Sequence, residues 1–170
     1  MRAFDGEKLK LQIFSDFLSI GVNRESARHA AESMIQTSLR GVDSHGINLF
    51  PHYHRSYLSG RLNKDPNYAF EQKKSAAAVL DADHAIGHHA GIVGMDKCLE
   101  LAAEHGIAAC TVRNSSHYGA SSYFGLHAAD KGYIGMSFTN ADALVKAYNG
   151  KEAFFGTNPI CFAAPMKGES

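Results

Sequence analysis

The 170-residue chain has no excess charge of either sign, because Lys and Arg total 17 and Asp and Glu total 17. This balance gives no electrostatic reason to expect binding to nucleic acid or to a membrane. Long apolar runs are missing too: the longest, such as residues 76–80, have the length of a core strand. Residues 1–10 are charged and contain no apolar signal region, so we expect a protein that is not secreted.

Paired cysteines are also absent. The three cysteines, Cys98, Cys110 and Cys161, are widely spaced among apolar neighbours, and no C-x-x-C occurs. This pattern predicts reduced, buried thiols in a cytoplasmic protein, without a structural zinc site. His84 and His88 have the i,i+4 spacing of a helix, but no carboxylate or thiol completes a set of ligands. We therefore expect no bound metal.

The common nucleotide motifs are missing as well. The 16 glycines include no G-x-G, so the dinucleotide fingerprint of the Rossmann fold is absent, and there is no G-K-[ST] phosphate loop. No G-x-S-x-G occurs, which removes the nucleophile elbow of the α/β-hydrolases. Any nucleotide that binds here must be held in another way.

The order of apolar and polar residues predicts an α/β protein. Hydrophobic residues make up 45% of the chain and charged residues 20%, which is typical of a globular domain. Apolar residues at helical spacing predict helices at residues 7–20 and 50–58. A further helix is predicted to begin after Asn23, which can act as its N-cap. The polar residues 61–75 are predicted to form a surface loop.

After residue 75, strands and helices alternate. The predicted strands are residues 77–80, 107–112, 133–139 and 159–164, and the predicted helices are residues 88–105 and 121–131. This alternation is typical of β-α-β crossovers in a sheet that is covered by helices. The last strand has few elements left to cover it, so we expect the chain to be part of a larger fold.

The first polar cluster has the sequence Arg-Gly-Val-Asp-Ser-His-Gly at residues 40–46, between two predicted helices. A loop of this kind can present Ser44 and His45 to a ligand. The alternative is an ordinary helix cap, with Asp43 or Ser44 capping the next helix. Since Ser44 and His45 are neighbours in sequence, they are a poor arrangement for a nucleophile and its base, which disfavours hydrolase chemistry.

The second polar cluster, residues 113–122, follows a predicted strand and precedes a helix. Ligands of α/β sheets bind at the carboxyl ends of strands, and His117 lies at such an end. The near-neutral pKa of a histidine suits proton donation to a carbonyl oxygen. The alternative is a polar loop with a surface histidine.

The third cluster contains Asn-Ala-Asp at residues 140–142, Asn-Gly at 149–150 and Gly-Thr-Asn-Pro at 156–159. Asn149 and Gly150 predict a tight turn. For residues 156–159, a turn before a buried strand is the favoured interpretation.

Together these motifs, with Tyr-Ile-Gly-Met-Ser at residues 133–137, resemble the malate/L-lactate dehydrogenase family of the non-Rossmann type, over nearly all of the chain. That family includes ureidoglycolate and sulfolactate dehydrogenases and 2,3-diketogulonate and piperideine-carboxylate reductases. The resemblance implies an N-terminal helical substrate-pocket region at residues 1–75. It also implies that residues 76–170 are the first part of a three-layer α/β/α mixed-sheet domain that binds nicotinamide and is not a Rossmann fold.

The resemblance implies reversible hydride transfer between NAD or NADP and a 2-hydroxy/2-oxo acid or a cyclic imino acid. His117 matches the general acid/base, His45 is its rival as proton donor, and Ser44 and His45 match residues that line the pocket. The positions that match the cofactor site are Gly119, Thr139, Asn140, Thr157, Asn158 and Pro159. The resemblance also implies a homodimer or higher homo-oligomer.

The chain departs from the family pattern at three positions. Leu49 stands where family members usually carry an arginine that can clamp a substrate carboxylate. Ala147 and Asn149 replace the usual Pro and first Gly of a later P-x-G-G stretch. Family chains are also longer, so the C-terminal half could be on another chain. The alternative to an enzyme is therefore a non-catalytic fragment or an assembly module that kept the fold.

Overall fold

A computed structural model describes residues 4–166, in which helices come first and strands alternate with helices afterwards. The helices are α1 (Gly6–Ser19), α2 (Arg24–Leu39), α3 (Phe50–Leu58), α4 (Gly87–His105) and α5 (Ser122–Ala129). The strands are β1 (Ala69–Lys74), β2 (Ala77–Ala85), β3 (Ala109–Ser115), β4 (Gly135–Phe138), β5 (Val145–Lys146), β6 (Ala153–Phe155) and β7 (Ile160–Ala163). Among these residues, no helix has the length and apolarity that a bilayer crossing requires.

Side chains cap the first two helices. The Asp5 carboxylate accepts hydrogen bonds from two backbone N–H groups of the first turn of α1, and the Asn23 side chain accepts one from the N–H of Ser26. These bonds satisfy donors that have no partner inside the helix. The predicted N-cap at Asn23 and the predicted helix at residues 50–58 are both confirmed.

Helices α1, α2 and α3 share one apolar core. The Phe17 ring on α1 lies 5.3 Å from the Phe50 ring and 5.7 Å from the Tyr57 ring, both edge-on. Ala27 and Ala30 of α2 are fully buried, and such small side chains let helices approach closely. Each large apolar side chain buried in this way stabilises the fold by about 1.5–3 kcal/mol.

The main sheet is mixed, as expected for this fold class. Strand β1 pairs antiparallel with β2, and β2 pairs parallel with β3, with Leu80 opposite Val112. Helix α4 connects the two parallel strands and ends at Gly106, whose φ of 79° is in the left-handed region. Helices followed by a mixed α/β sheet are therefore confirmed. The division of the chain at residue 75 stays a prediction.

The predicted surface loop at residues 61–75 is wrong in its second half, because β1 lies there. All six residues of β1 are exposed, and the strand forms the edge of the sheet. A strand with no buried face shows no alternation of polar and apolar residues, and edge strands often carry lysines. Its sequence therefore looks like that of a loop.

The remaining strands form two small antiparallel pairs, β4 with β7 and β5 with β6. The sequence predicted β4 and β7 but missed β5 and β6, which are two and three residues long and exposed. The predicted tight turn is confirmed: Asn149 has a φ of 58°, and the N–H of Gly150 donates to the carbonyl of Ala147 at 2.8 Å.

The cysteines are free thiols, but the prediction that they are buried is wrong. Cys98, Cys110 and Cys161 are each half-buried. Cys110 and Cys161 lie on β3 and β7, where none of the residues is fully buried. The apolar neighbours in sequence therefore do not imply complete burial.

Candidate active site

His117 follows β3 in the loop that leads to α5, and one ring nitrogen is held by two neighbours. Nδ1 lies 2.6 Å from the hydroxyl of Tyr53, and the backbone N–H of Gly119 donates to it at 3.3 Å. A backbone N–H can only donate, so Nδ1 is the acceptor when the ring is neutral, and the proton is then on Nε2. A tyrosine hydroxyl can donate or accept, so Tyr53 can serve either protonation state.

Tyr53 is in turn fixed by burial. It lies on α3, is 1% exposed, and its ring packs edge-on against the ring of His88 with the centroids 4.8 Å apart. His88 lies in the first turn of α4 and is fully buried. Burial raises the pKa of Tyr53 far above its usual range, so its hydroxyl stays protonated. A helix from the first part of the chain thus reaches the loop that carries His117.

The loop around His117 requires glycine at two positions. Gly119 has a φ of 75°, and a Cβ there would lie 2.6 Å from Nε2 of His88. A Cβ on Gly87 would overlap the carbonyl oxygen of Ser116, whose hydroxyl accepts a hydrogen bond from the N–H of Gly87 at 3.1 Å. The start of α4 is therefore in direct contact with the His117 loop.

Neither Asp43 nor Ser44 caps the helix that follows, so this capping interpretation is wrong, although Arg40 is the C-cap of α2. Two short 3-10 turns, Asp43–His45 and Ile47–Leu49, separate α2 from α3, and no side chain caps the start of α3. The 3-10 turn instead brings Ser44 Oγ to 3.0 Å from Nδ1 of His45, although we expected a poor arrangement for these neighbours. Gly46 is required here, because a Cβ would overlap the Ser38 hydroxyl, which accepts from the N–H of Ile47.

The first and second clusters meet at two stacked histidines. The rings of His45 and His117 have centroids 5.7 Å apart and an interplanar angle of 30°. The surrounding protein displaces water and lowers the pKa of His117; His45 and His52 lower it further when protonated, and the Asp142 carboxylate opposes them. His117 is therefore mainly neutral at neutral pH.

Residues 140–142 and 156–159 of the third cluster also lie together. The Asn158 side chain accepts a hydrogen bond from the N–H of Ala141 at 2.9 Å, and a Cβ on Gly156 would overlap the Ala141 carbonyl. The N–H of Thr139 donates to the carbonyl of Pro159 at 3.4 Å. Residues 156–159 lead directly into β7, as predicted, but they form no assigned turn, and β7 is not buried, since its residues are exposed or half-buried.

Polar groups of this cluster stay exposed. Asn140, Thr157 and Asn158 face solvent, and the Asp142 carboxylate is close enough to act on the pKa of His117. The first and second clusters therefore meet at His45 and His117, and Asp142 of the third cluster is within electrostatic range of His117.

Sequence reasoning missed Tyr53 and considered His52 and His88 only as possible metal ligands. Tyr53 looked like an ordinary core residue of α3, since its hydroxyl partner is 64 residues away. His84 lies on β2 and is exposed, so it shares no helix with His88. In residues 4–166, no three His, Cys, Asp or Glu side chains are grouped to hold a metal ion.

Leu49, which stands at the position of the usual arginine, is half-buried and packs against the core of the first three helices. It offers no charge or hydrogen bond to a ligand. The imidazoles of His45 and His52 are the groups whose positive charge, when they are protonated, lowers the pKa of His117.

Comparison with known proteins gives consistent matches. The family model described as malate/L-lactate dehydrogenase matches residues 4–170. The malate dehydrogenase of Pyrococcus abyssi is 39% identical over 150 residues, which are 88% of this chain and 41% of that protein. The ureidoglycolate dehydrogenase (NAD(+)) of Escherichia coli K12 is 34% identical over 163 residues, which are 96% of this chain and 47% of that protein.

The solved structure of malate dehydrogenase from Pyrococcus horikoshii OT3 superimposes with a TM-score of 0.94 and 34% sequence identity. The superposition covers 99% of this chain and 48% of that one. The chain thus spans about half the length of the relatives that it matches.

Proposed function

The chain belongs to the malate/L-lactate dehydrogenase family, and on that basis we propose that His117 is the general acid–base of a nicotinamide-dependent hydride transfer. The substrate class that we propose is a 2-hydroxy/2-oxo acid, or a cyclic imino acid with the corresponding C=N bond. In either case a proton must move to or from the substrate heteroatom as hydride adds to or leaves carbon.

The observation that supports this proposal most is the way His117 is held. Tyr53 and Gly119 occupy Nδ1, so Nε2 is the ring nitrogen left for a substrate. A fixed ring with one free nitrogen meets the geometric requirement for proton transfer, which is hydrogen-bond reach at a defined atom.

The two directions of the reaction use two protonation states of His117. In reduction, the imidazolium gives its Nε2 proton to the carbonyl oxygen, and its Nδ1–H donates to the Tyr53 hydroxyl. In oxidation, the neutral ring acts in its other tautomer, with Nδ1–H donating to the Tyr53 hydroxyl, so that the unprotonated Nε2 takes the proton of the substrate hydroxyl. The hydroxyl of Tyr53 can accept from Nδ1–H as well as donate to an unprotonated Nδ1, whereas a backbone N–H can only donate.

The residues around the third cluster fit a nicotinamide cofactor, which when bound would supply or take the hydride. Gly156 lets the backbone at residues 156–159 approach Ala141, and exposed amide and hydroxyl groups surround the contact. These groups can hydrogen-bond an amide or a ribose. The residues that we propose for this role are Gly119, Thr139, Asn140, Thr157, Asn158 and Pro159.

Ser44 and His45 are proposed to line the substrate side of the pocket. The Ser44 hydroxyl contacts Nδ1 of His45, and the His45 ring stacks on His117. This places His45 beside the proton donor, where it can bind the substrate oxygen or carboxylate. It also makes His45 the rival for the acid–base role.

The test is an absorbance assay of the native protein. The protein is purified from its own cells with its native chain length and assembly. NADH and NADPH are mixed separately with a panel of 2-oxo acids and cyclic imino acids. We expect consumption of at least one cofactor with at least one substrate, at a rate that falls strongly in the His117→Ala variant. A folded protein that consumes neither cofactor with any substrate would overturn the proposal in favour of a non-catalytic module.

A further inference from the structure

We propose that His88 is a positioning residue that holds the two hydrogen-bond partners of His117 Nδ1, the Tyr53 hydroxyl and the Gly119 N–H, in place. The expected effect of His88 on catalysis rests on the proposed function of His117. The expected effect of His88 on the position of the His117 ring does not. Tyr53 and Gly119 come from different parts of the chain, and both contact Nδ1 of His117. His88 is the side chain that touches both of them.

His88 is placed by the start of α4 and has no freedom to move. It is fully buried, and its ring is nearly perpendicular to that of Tyr53, at 83° and 4.8 Å between centroids. On another side, Nε2 lies so close to Gly119 that a Cβ there would be 2.6 Å away. One ring thus contacts both α3 and the His117 loop.

The two ring nitrogens of His88 make no contact that explains why a polar side chain is present at this position. Within the described residues, neither Nδ1 nor Nε2 has a hydrogen-bond partner. A buried polar group left without a partner costs stability, so an aliphatic side chain would be the more stable choice for mere filling. The flat five-membered ring, however, packs edge-on against the Tyr53 ring and lies directly against the Gly119 backbone.

His88 acts on His117 through shape and not through charge. Burial lowers the pKa of His88 to about 3, so the ring is neutral at the pH at which His117 works. Its removal should therefore leave the charges around His117 unchanged and free Tyr53 and Gly119 to move away from Nδ1.

The experiment measures the His117 ring directly, by NMR of protein labelled with ¹⁵N in histidine. In the parent protein we expect a neutral His117 with the proton on Nε2 and a pKa below that of an ordinary histidine. In His88→Ala, water enters beside Tyr53, so the pKa should move up toward the ordinary value and both tautomers should be populated. kcat should fall about tenfold or more while KM changes less than twofold.

Two further variants make the test decisive. His88→Leu refills the space without the flat ring, so its His117 tautomer and pKa should lie between those of the parent and of His88→Ala. If His88→Ala does not fold, this variant alone decides. His89→Leu alters the next residue of the same helix, which contacts Ser26 and Tyr68 and not His117, so the His117 signals should stay unchanged.

Unchanged His117 signals in the folded His88 variants would overturn the inference, even if His117→Ala is inactive. Full activity of His117→Ala would instead reject the proposed acid–base role, while a shifted tautomer in His88→Ala would still support the positioning contact. The two failures are therefore distinguishable.

Discussion

The hydroxyl of Tyr53 lies 2.6 Å from Nδ1 of His117, although 64 residues separate them in the chain. Tyr53 lies on α3 of the N-terminal helices, and His117 follows the last strand of the mixed sheet. The bond therefore joins the N-terminal helices to the loop after the mixed sheet at the candidate active site. The orientation of the proposed proton donor depends on how these parts pack against each other.

The Tyr53 hydroxyl should be worth about one order of magnitude in turnover. Tyr53→Phe keeps the buried ring but removes one of the two partners of Nδ1, and a hydrogen bond contributes up to about 1.5 kcal/mol, which corresponds to about tenfold in rate. We expect kcat to fall about tenfold with little change in KM, measured by steady-state assay of the active protein. Tyr57→Phe is the matched control, because its hydroxyl is buried one helical turn later without a hydrogen-bond partner in residues 4–166. Equal turnover in the two variants would show that Gly119 alone orients His117.

Removal of the His117 imidazole should lower turnover by about two to four orders of magnitude, the usual contribution of general acid–base catalysis. His45→Ala should have a smaller effect on kcat, since the His45 Nδ1 is already engaged by the Ser44 hydroxyl. Steady-state kinetics of both variants with the same substrate decide the question. Unchanged turnover in His117→Ala, with a large loss in His45→Ala, would assign the proton transfer to His45.

The two directions of the reaction should respond oppositely to pH. Because its surroundings lower the pKa of His117, the imidazolium that protonates a carbonyl is lost as pH rises through a value below the ordinary 6.5. The kcat for reduction should therefore fall with rising pH in that range, and the kcat for oxidation should rise. In Tyr53→Phe, the pH at which kcat changes should differ from that of the parent protein. A transition that is absent in both directions would mean that His117 does not titrate in the rate-limiting step.

The sequence predicted those parts of the fold that have a buried face or a strong local signal. Asn23 caps α2 through its own side chain, and helix α3 has an apolar stripe, so both could be located. Strand β1 could not, because an edge strand with six exposed residues lacks alternation. Its existence depends on pairing with β2, which is a tertiary interaction.

The candidate site was predictable only as three separate clusters. His45 and His117 are both marked by small and polar neighbours, but nothing in the sequence shows that their rings stack. Tyr53 gave no signal, and His88 gave only its i,i+4 spacing with His84, since both residues lie in helices and are buried there. Their role follows from contacts between α3, α4 and the His117 loop, which only the folded chain brings together.

Leu49→Arg should improve the binding of simple 2-oxo acids. Leu49 is half-buried at the end of the second 3-10 turn, and a long arginine can keep its charged end in water while its stem packs on the core. A guanidinium there could bind a carboxylate in a bidentate way. We expect a lower KM for pyruvate-like substrates with kcat changed little. Leu49→Gln, which is polar but uncharged, is the control; equal KM values in all three proteins would show that another group already holds the carboxylate.

A second histidine pair joins α2 to α4 and α5 away from the candidate site. His29 on α2 is 7% exposed; Arg28 donates to its Nε2 at 2.7 Å, and its Nδ1 lies 3.0 Å from the hydroxyl of Tyr123. Its ring stacks on that of His89, with centroids 5.2 Å apart. The pKa of His29 is lowered to about 4. The largest cause is burial, followed by the positive charges of Arg28 and of a protonated His89.

Acid should therefore destabilise the fold through His29. Its pKa is about 4 in the folded chain and about 6.5 in the unfolded chain, so the unfolded state binds more protons between these values. The free energy of unfolding should fall as pH drops from about 6.5 to about 4, by up to roughly 3 kcal/mol from this group. His29→Gln cannot titrate and can still hydrogen-bond both neighbours, so its unfolding free energy, measured by urea titration at several pH values, should depend less steeply on pH in that window. His84→Asn, which alters an exposed histidine at the end of β2, should keep the parent slope; a parent-like slope in His29→Gln would mean that other groups, such as His88, account for the acid sensitivity.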